Sequence, residues 1–178
     1  VSPKRLYVSV LIVSVTLIYG PTIGYDFVNI DDPGLIFSNP IVTSGRNSWW
    51  AAFEKFLFTA YYKPLVLLTW RIEYQLLGKG AWHFHLFNAV LHLLNSILVL
   101  KLGRHLFQRL FTENKKTEWF AFLWALLFAV HPFRIESVAW ATERKDVLFA
   151  FFFLLSWLSY IRFVNGGQYR WMIIGAIL

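Results

Sequence analysis

Four long apolar runs, at residues 6–24, 84–103, 119–131 and 147–164, constrain this chain more than any other feature, and a fifth begins near Tyr169. A helix that crosses a bilayer core needs about 20 mostly apolar residues. The third run is short and is expected to borrow residues as far as 133. The expected fold class is therefore all-α, a polytopic membrane helix bundle with four to five transmembrane helices in these residues. Composition agrees, because 57% of the 178 residues are apolar against roughly 45–50% in soluble domains. There is no cysteine, which excludes disulfides, thiolate metal sites and a cysteine nucleophile.

Charge sorts the connections into two kinds. Lys4 and Arg5, the stretch 101–118, and the pair Arg162 and Arg170 together carry the whole net charge of +7. Connections 25–83 and 132–146 each balance to zero. Positive residues favour the cytoplasmic side. The N-terminus is expected in the cytoplasm, with 25–83 and 132–146 as outer loops. The basic charge thus has a membrane explanation, and no nucleic-acid partner is expected. The basic start and apolar first run could pass for a signal peptide, but no small-residue cleavage site follows, so an uncleaved helix is expected. A chain that begins with Val and ends inside an apolar run reads as a piece of a longer protein.

The first outer loop is long enough to carry function. It opens on YDFVNIDDPGLIFSNP, which reads as turns. In GRNSWWAAFEKFLF, Ser48 is placed to cap a helix with Trp49, Phe53, Phe56 and Leu57 on one face. LVLLTWRIEYQLLG carries Arg71 and Glu73 in an apolar stretch too short to span. Both segments read as interfacial helices, with aromatics dipped into the headgroup layer.

Candidate chemistry gathers at the outer loops. Asp31 and Asp32 can serve as a general base for a hydroxyl, as ligands of a divalent cation such as Mg or Mn, or simply as turn formers before Pro33. His85, Asn88, His92 and Asn95 form one helical stripe. It reads as a polar packing seam for His92 and Asn95, and His85 lies near enough to the outer end to reach a site. The second loop, HPFRIESVAWATERKD, packs charge far beyond what a tight turn needs. His131, Glu136, Arg144, Lys145 and Asp146 lie there either as helix-end anchors or as a phosphate site, since arginine grips phosphate with paired hydrogen bonds. Acids, His and cations at one face, under interfacial helices, suit a lipid-linked phosphate substrate.

The stretches FVNIDDPGLIFSNP, YYKPLVLLTWRIEYQLLG, HFHLFNAVLHLLNSILVL and HPFRIESVAWATERKDVLF resemble, in order and spacing, the membrane part of the transmembrane and tetratricopeptide-repeat (TMTC-like) family. ESVAWATERKDVL is most similar to its bacterial branch, which implies a bacterial or archaeal plasma membrane. The resemblance implies a GT-C-type glycosyltransferase that takes a sugar from a polyprenyl-phosphate donor to an acceptor protein. It implies a catalytic acid in the first outer loop, here Asp32 with Asp31 as partner or metal ligand. It also implies a His-Pro and Glu motif, matched by His131, Pro132 and Glu136, and an Arg-x-Asp motif, matched by Arg144 and Asp146. Further helices and tetratricopeptide repeats are expected beyond these residues, so the piece alone is expected to be inactive.

On this reading a sugar, with mannose the first expectation, passes to Ser or Thr hydroxyls with inversion. Arg144 neutralises the phosphate, with Lys63 and Arg71 as further cations and His85, His131, Glu136 and Asp146 as substrate contacts. Two other classes stay open: a transporter or channel whose path is lined by the His/Asn seam, and a non-catalytic membrane scaffold.

Overall fold

The structure is a computed structural model that describes residues 3–45, 48–54, 62–111 and 113–178. Among these residues every regular element is helical. Helix α1 (Pro3–Tyr19) tightens into a 3-10 turn, Gly20–Gly24, where Pro21 can supply no N–H to continue the α-helical ladder. A π-helical turn (Pro33–Phe37) and the short helices α2 (Pro40–Thr43) and α3 (Ala51–Glu54) follow. Asn39 caps α2, its side chain accepting from Ile41 N at 2.9 Å. The Ser48 hydroxyl accepts from Trp50 N at 3.2 Å at the start of α3. Phe56 and Leu57, expected on the same helix face, lie outside the described residues.

Helix α4 (Pro64–Leu77) leads through Gly78 into α5 (Ala81–Phe107), α6 (Asn114–Val130) and α7 (Arg134–Ala139). A 3-10 turn (Ala141–Glu143) feeds α8 (Arg144–Gly166), and α9 (Tyr169–Ile177) closes the described chain. Gly167, at φ 65°, ends α8 in the left-handed conformation that glycine adopts most readily. Among the described residues three segments are long and apolar enough to cross a membrane: Lys4–Gly24, Ala81–Phe107 and Ala141–Gly166. Helix α6 has 17 residues, so it rises only about 26 Å. It stops because His131 must be extended (ψ 128°) before Pro132.

Helix α5 is the axis of the bundle, packed by α1, α6 and α8. Against it α6 lays a stripe of small buried residues at four-residue spacing, Thr117, Ala121, Ala125 and Ala129. Small side chains let membrane helices approach closely. At the crossing, a Cβ on Gly103 would lie 2.9 Å from Trp124 Cε3 and 3.2 Å from the Ala121 Cα. Gly103→Val is therefore expected to wedge α5 from α6 and lower stability by about 1–3 kcal/mol. Thermal unfolding read by tryptophan fluorescence checks this, and an unchanged midpoint would show that the helices have room to spare.

The two ends of the bundle differ. At one, Glu118 pairs with Arg104 at 2.9 Å and Lys4 at 3.9 Å, joining the starts of α1 and α6 to the end of α5. At the other, the connection after α1 meets the connection between α6 and α8. Helix α4 lies at this second end and buries Arg71 and Glu73 together with Val66, Leu67 and Trp70, while Leu65, Ile72, Leu76 and Leu77 are exposed. A helix that buries its charges and leaves several apolar side chains exposed suits the membrane interface.

Candidate active site

Asp32 joins the two connections. Its Oδ2 accepts from the Val28 N–H at 2.8 Å, and its Oδ1 accepts from the Trp140 indole at 3.1 Å and the Thr142 N–H at 3.2 Å. Thr142 and Trp140 stand 110 and 108 positions further along the chain. The side chain is fully buried, so the acid does more than form a turn before Pro33. Burial pushes its carboxyl above the usual carboxylate range, and the bonds from Val28, Thr142 and Trp140 oppose that push. A carboxylate offers about four lone-pair sites. Three are used by these bonds, and the Thr142 side chain lies beside the same carboxylate. Trp140→Phe removes a bond made to the charged form, so the Asp32 pKa is expected to rise further. If Asp32 is the base, the acid limb of the pH–rate profile of the full-length protein then moves to higher pH. A limb that stays in place would separate Trp140 from the titrating group.

Arg144 has a different occupation from the one its sequence position suggests. Its guanidinium is completely buried. It pairs with both oxygens of Glu73, with Nη1 on Oε1 and Nη2 on Oε2 at 3.1 Å. Nε donates to Asn88 Oδ1 at 2.9 Å, Nη1 also to Thr69 Oγ1 at 3.2 Å, and Nη2 also to the Phe84 carbonyl at 3.1 Å. All five guanidinium donors are thus engaged inside the protein, and Phe87 covers the group at 4.5 Å. Nothing is left for a phosphate. Arg144 instead ties α4 and α5 to the first turn of α8, two residues past Thr142. His83 completes the network, with Nδ1 3.4 Å from Glu73 Oε2 and Nε2 3.1 Å from the Gly78 carbonyl. Glu73, His83, Thr69 and Trp140 are the residues that sequence reasoning missed. The available signal was an acid on a short apolar helix, which read only as a mark of the interface.

A second group gathers above this network. Lys63 lies within electrostatic reach of Lys145, Glu143, Asp31 and Asp146. Burial, and next the Lys145 ammonium, hold Lys63 below the usual lysine range, while the three carboxylates act in the opposite direction. Asp31 is exposed. The Asp146 Oδ2 accepts from the Ser137 hydroxyl at 2.9 Å, fastening α7 to α8. Lys145 is paired with Glu143.

The remaining candidates scatter. Arg71 donates to the Ser48 carbonyl at 3.0 Å and lies over the Trp49 ring. His131 Nδ1 accepts from Phe133 N at 3.3 Å, and the Glu136 side chain is exposed. His85 is buried within electrostatic reach of Asp32 and Arg144, with the backbone of Ala139 and Asp26 beside its ring. Among the described residues no three His, Asp or Glu are placed to hold a metal ion. The polar seam is spent on packing. Asn88 Nδ2 donates to the Trp140 carbonyl at 3.0 Å and Asn95 Nδ2 to the Val147 carbonyl at 2.8 Å, while His92 Nε2 lies 3.0 Å from the Ala129 carbonyl. Side chains bonded to neighbouring backbones line no transport path.

Helices of membrane-crossing length packed around a single axis define a polytopic helical membrane protein. Over 163 residues, 85% of the chain, it is 35% identical to protein O-mannosyl-transferase TMTC1 of Mus musculus, of which it covers 16%. It is 31% identical over 176 residues, 91% of the chain, to protein O-mannosyl-transferase Tmtc2 of Drosophila melanogaster, of which it covers 18%. To protein O-mannosyl-transferase TMTC4 of Mus musculus it is 44% identical over 107 residues, 56% of the chain and 14% of that protein. No family model and no solved structure matches. The chain belongs to the transmembrane and tetratricopeptide-repeat (TMTC-like) family and spans less than a fifth of the length of these relatives.

Proposed function

We propose that the protein carrying this chain is a GT-C-type glycosyltransferase of the extracytoplasmic membrane face. It moves a sugar, mannose first among candidates, from a polyprenyl phosphate to Ser or Thr hydroxyls of an acceptor protein. The observation that carries this reading is the Asp32 carboxylate, buried where the two connections meet and held by donors from both. The relatives named protein O-mannosyl-transferase support the class of reaction. The basic charge at the opposite end, Lys4 and Arg104 among it, favours a cytoplasmic placement of that end and an outward placement of Asp32.

In the proposed step Asp32 Oδ2 takes the hydroxyl proton as the oxygen attacks the anomeric carbon. The bond from that carbon to the phosphate oxygen breaks, its electron pair stays on the departing polyprenyl phosphate, and the configuration inverts. Charge developing on a leaving group is best met by cations already in place. Lys63 and Lys145 take that part, because Arg144 is committed to Glu73. Asp31, beside Lys63, orients the acceptor or the sugar, and His85 beneath Asp32 contacts the substrate. The test uses full-length protein in proteoliposomes with labelled mannosyl polyprenyl phosphate and a Ser/Thr peptide. The expected product is a mannosyl peptide of inverted configuration. Equal transfer from a nucleotide sugar without the lipid donor, or no transfer from the lipid donor, would overturn the proposal.

A further inference from the structure

At the end of the bundle opposite Asp32, a cavity of about 430 Å³ opens between the ends of α5 and α8. Its polar rim is His105, Gln108 and Arg109 on one side and Asn165 on the other. The rest of its wall is apolar and aromatic, with Leu106 from α5 and Trp157, Tyr160 and Ile161 from α8. From Asn165 to Trp157 the α8 wall runs eight residues, about 12 Å of helix. Asn165 is the last residue but one of the apolar span Ala141–Gly166. The rim therefore stands at the depth of lipid headgroups, and Trp157 and Tyr160 at the depth where the acyl chains begin. Tryptophan and tyrosine gather at that boundary because one end of each is apolar and the other polar.

Among the described residues the side chains of His105, Gln108, Arg109 and Asn165 make no hydrogen bond or ion pair. The two acids of the stretch 101–118 are Glu113 and Glu118, and both are taken. Glu118 pairs with Arg104 and Lys4, and Glu113 pairs with Lys116. The nearby cations Arg162 and Arg170 lie over the Trp171 ring, at 4.7 and 5.4 Å from its centre. The dipole of α5 does not call for Arg109 either, since Arg104 and His105 already stand in its last turn. Arg109 is left to take an anion from outside the described chain, and at this depth the bilayer supplies phosphate groups. We propose that the cavity binds an anionic phospholipid. Arg109 holds the phosphate, His105 and Asn165 donate further hydrogen bonds to the headgroup, and the first acyl carbons lie against Tyr160 and Trp157. A soluble phosphate would use the rim and leave the aromatic wall bare, whereas a lipid uses both. Under the orientation proposed above, the lipid belongs to the inner leaflet. The site is separate from the transfer chemistry at the opposite end.

The experiment is photo-crosslinking of phosphatidylglycerol, with a diazirine near the head of one acyl chain, to the full-length protein in phosphatidylcholine nanodiscs, mapped by peptide mass spectrometry. Saturable labelling is expected on Trp157, Tyr160 and Ile161, displaced by unlabelled phosphatidylglycerol. Arg109→Gln is expected to weaken binding about tenfold, the loss of one charge-assisted contact, and Arg109→Lys to keep part of it. Arg109 is exposed, so these variants leave the bundle packing alone, and the wild-type map does not depend on them. Four outcomes would overturn the proposal. Labelling that rises linearly with the probe would reduce the cavity to ordinary bilayer contact. No labelling of these residues would mean that another part of the full-length protein covers them. Displacement by glycerol 3-phosphate as effective as by the lipid would make it a site for soluble phosphates. Unchanged binding in Arg109→Gln would remove the headgroup contact. Nanodiscs present both faces, so no outcome turns on the orientation. Mannosyl transfer is measured separately, so the lipid site and the transferase reading can fail independently.

Discussion

Glu73→Ala is expected to destabilise the full-length protein by about 3–5 kcal/mol, because it leaves a buried guanidinium without its counter-charge. Arg144 would keep its bonds to Asn88, Thr69 and Phe84 and lose both to Glu73. Water cannot replace them, since the group is completely buried. The pair joins residues 71 positions apart, so its loss frees α4 from α8 and loosens the 3-10 turn that presents Thr142 to Asp32. Glu73→Leu with Arg144→Met should recover most of the stability, because an apolar pair of similar volume removes the charges together. Unfolding midpoints of the two single variants and the double variant, read by tryptophan fluorescence, form the cycle that isolates the pair. Single-variant costs below about 1 kcal/mol, the range of an exposed pair, would mean that the ion pair is solvated and does not hold the site together.

That ion pair also marks where the sequence stopped being legible. Long apolar runs are a local property, so α1, α5 and α8 can be read from hydropathy, and Pro132 shows where α6 must end. The seam of Asn88, His92 and Asn95 is a local periodicity, and its packing role follows from the expense of leaving such groups unbonded in lipid. The partner of Arg144 is not local. Arginine at a helix N-terminus reads equally well as a phosphate ligand or a headgroup anchor, and only the fold brings Glu73 against it. Trp140 is hidden in the same way, since an indole in an aromatic-rich chain carries no sign that its N–H is aimed at a carboxylate. The small stripe of α6 was open to reading at four-residue spacing, but the bulky aromatics between its members dominate the run. The meeting of the two outer connections could only be assumed from sequence, and in the structure Asp32 joins them.

Asp32→Asn separates the chemical role of this residue from its structural one. As a base it is expected to contribute about 10²–10⁴-fold to transfer, and the variant should lose that factor. Its effect on folding has two opposed parts. The folded Asp32 pKa lies above its ordinary value of 3.8, so the contribution to stability is present below that value and lost as pH rises through the folded pKa. Above the folded pKa the ionised carboxylate is therefore a burden on the fold, which the amide removes. Against this, an asparagine with its carbonyl at the Oδ1 position keeps the bonds from Trp140 and Thr142 but turns an NH₂ toward the Val28 N–H, a mismatch of about 1–3 kcal/mol. The two effects oppose each other, so the unfolding midpoint should move less than the mismatch alone would move it, while transfer disappears. Asp31→Asn is the control, because Asp31 is exposed and its loss leaves the clasp intact. If Asp32→Asn melts early and Asp31→Asn folds normally but transfers nothing, the base is Asp31 and the buried acid is a tether between the loops. Full transfer by the Asp32→Asn protein would remove Asp32 from the chemistry and leave Trp140 and Thr142 as donors to a purely structural carboxylate.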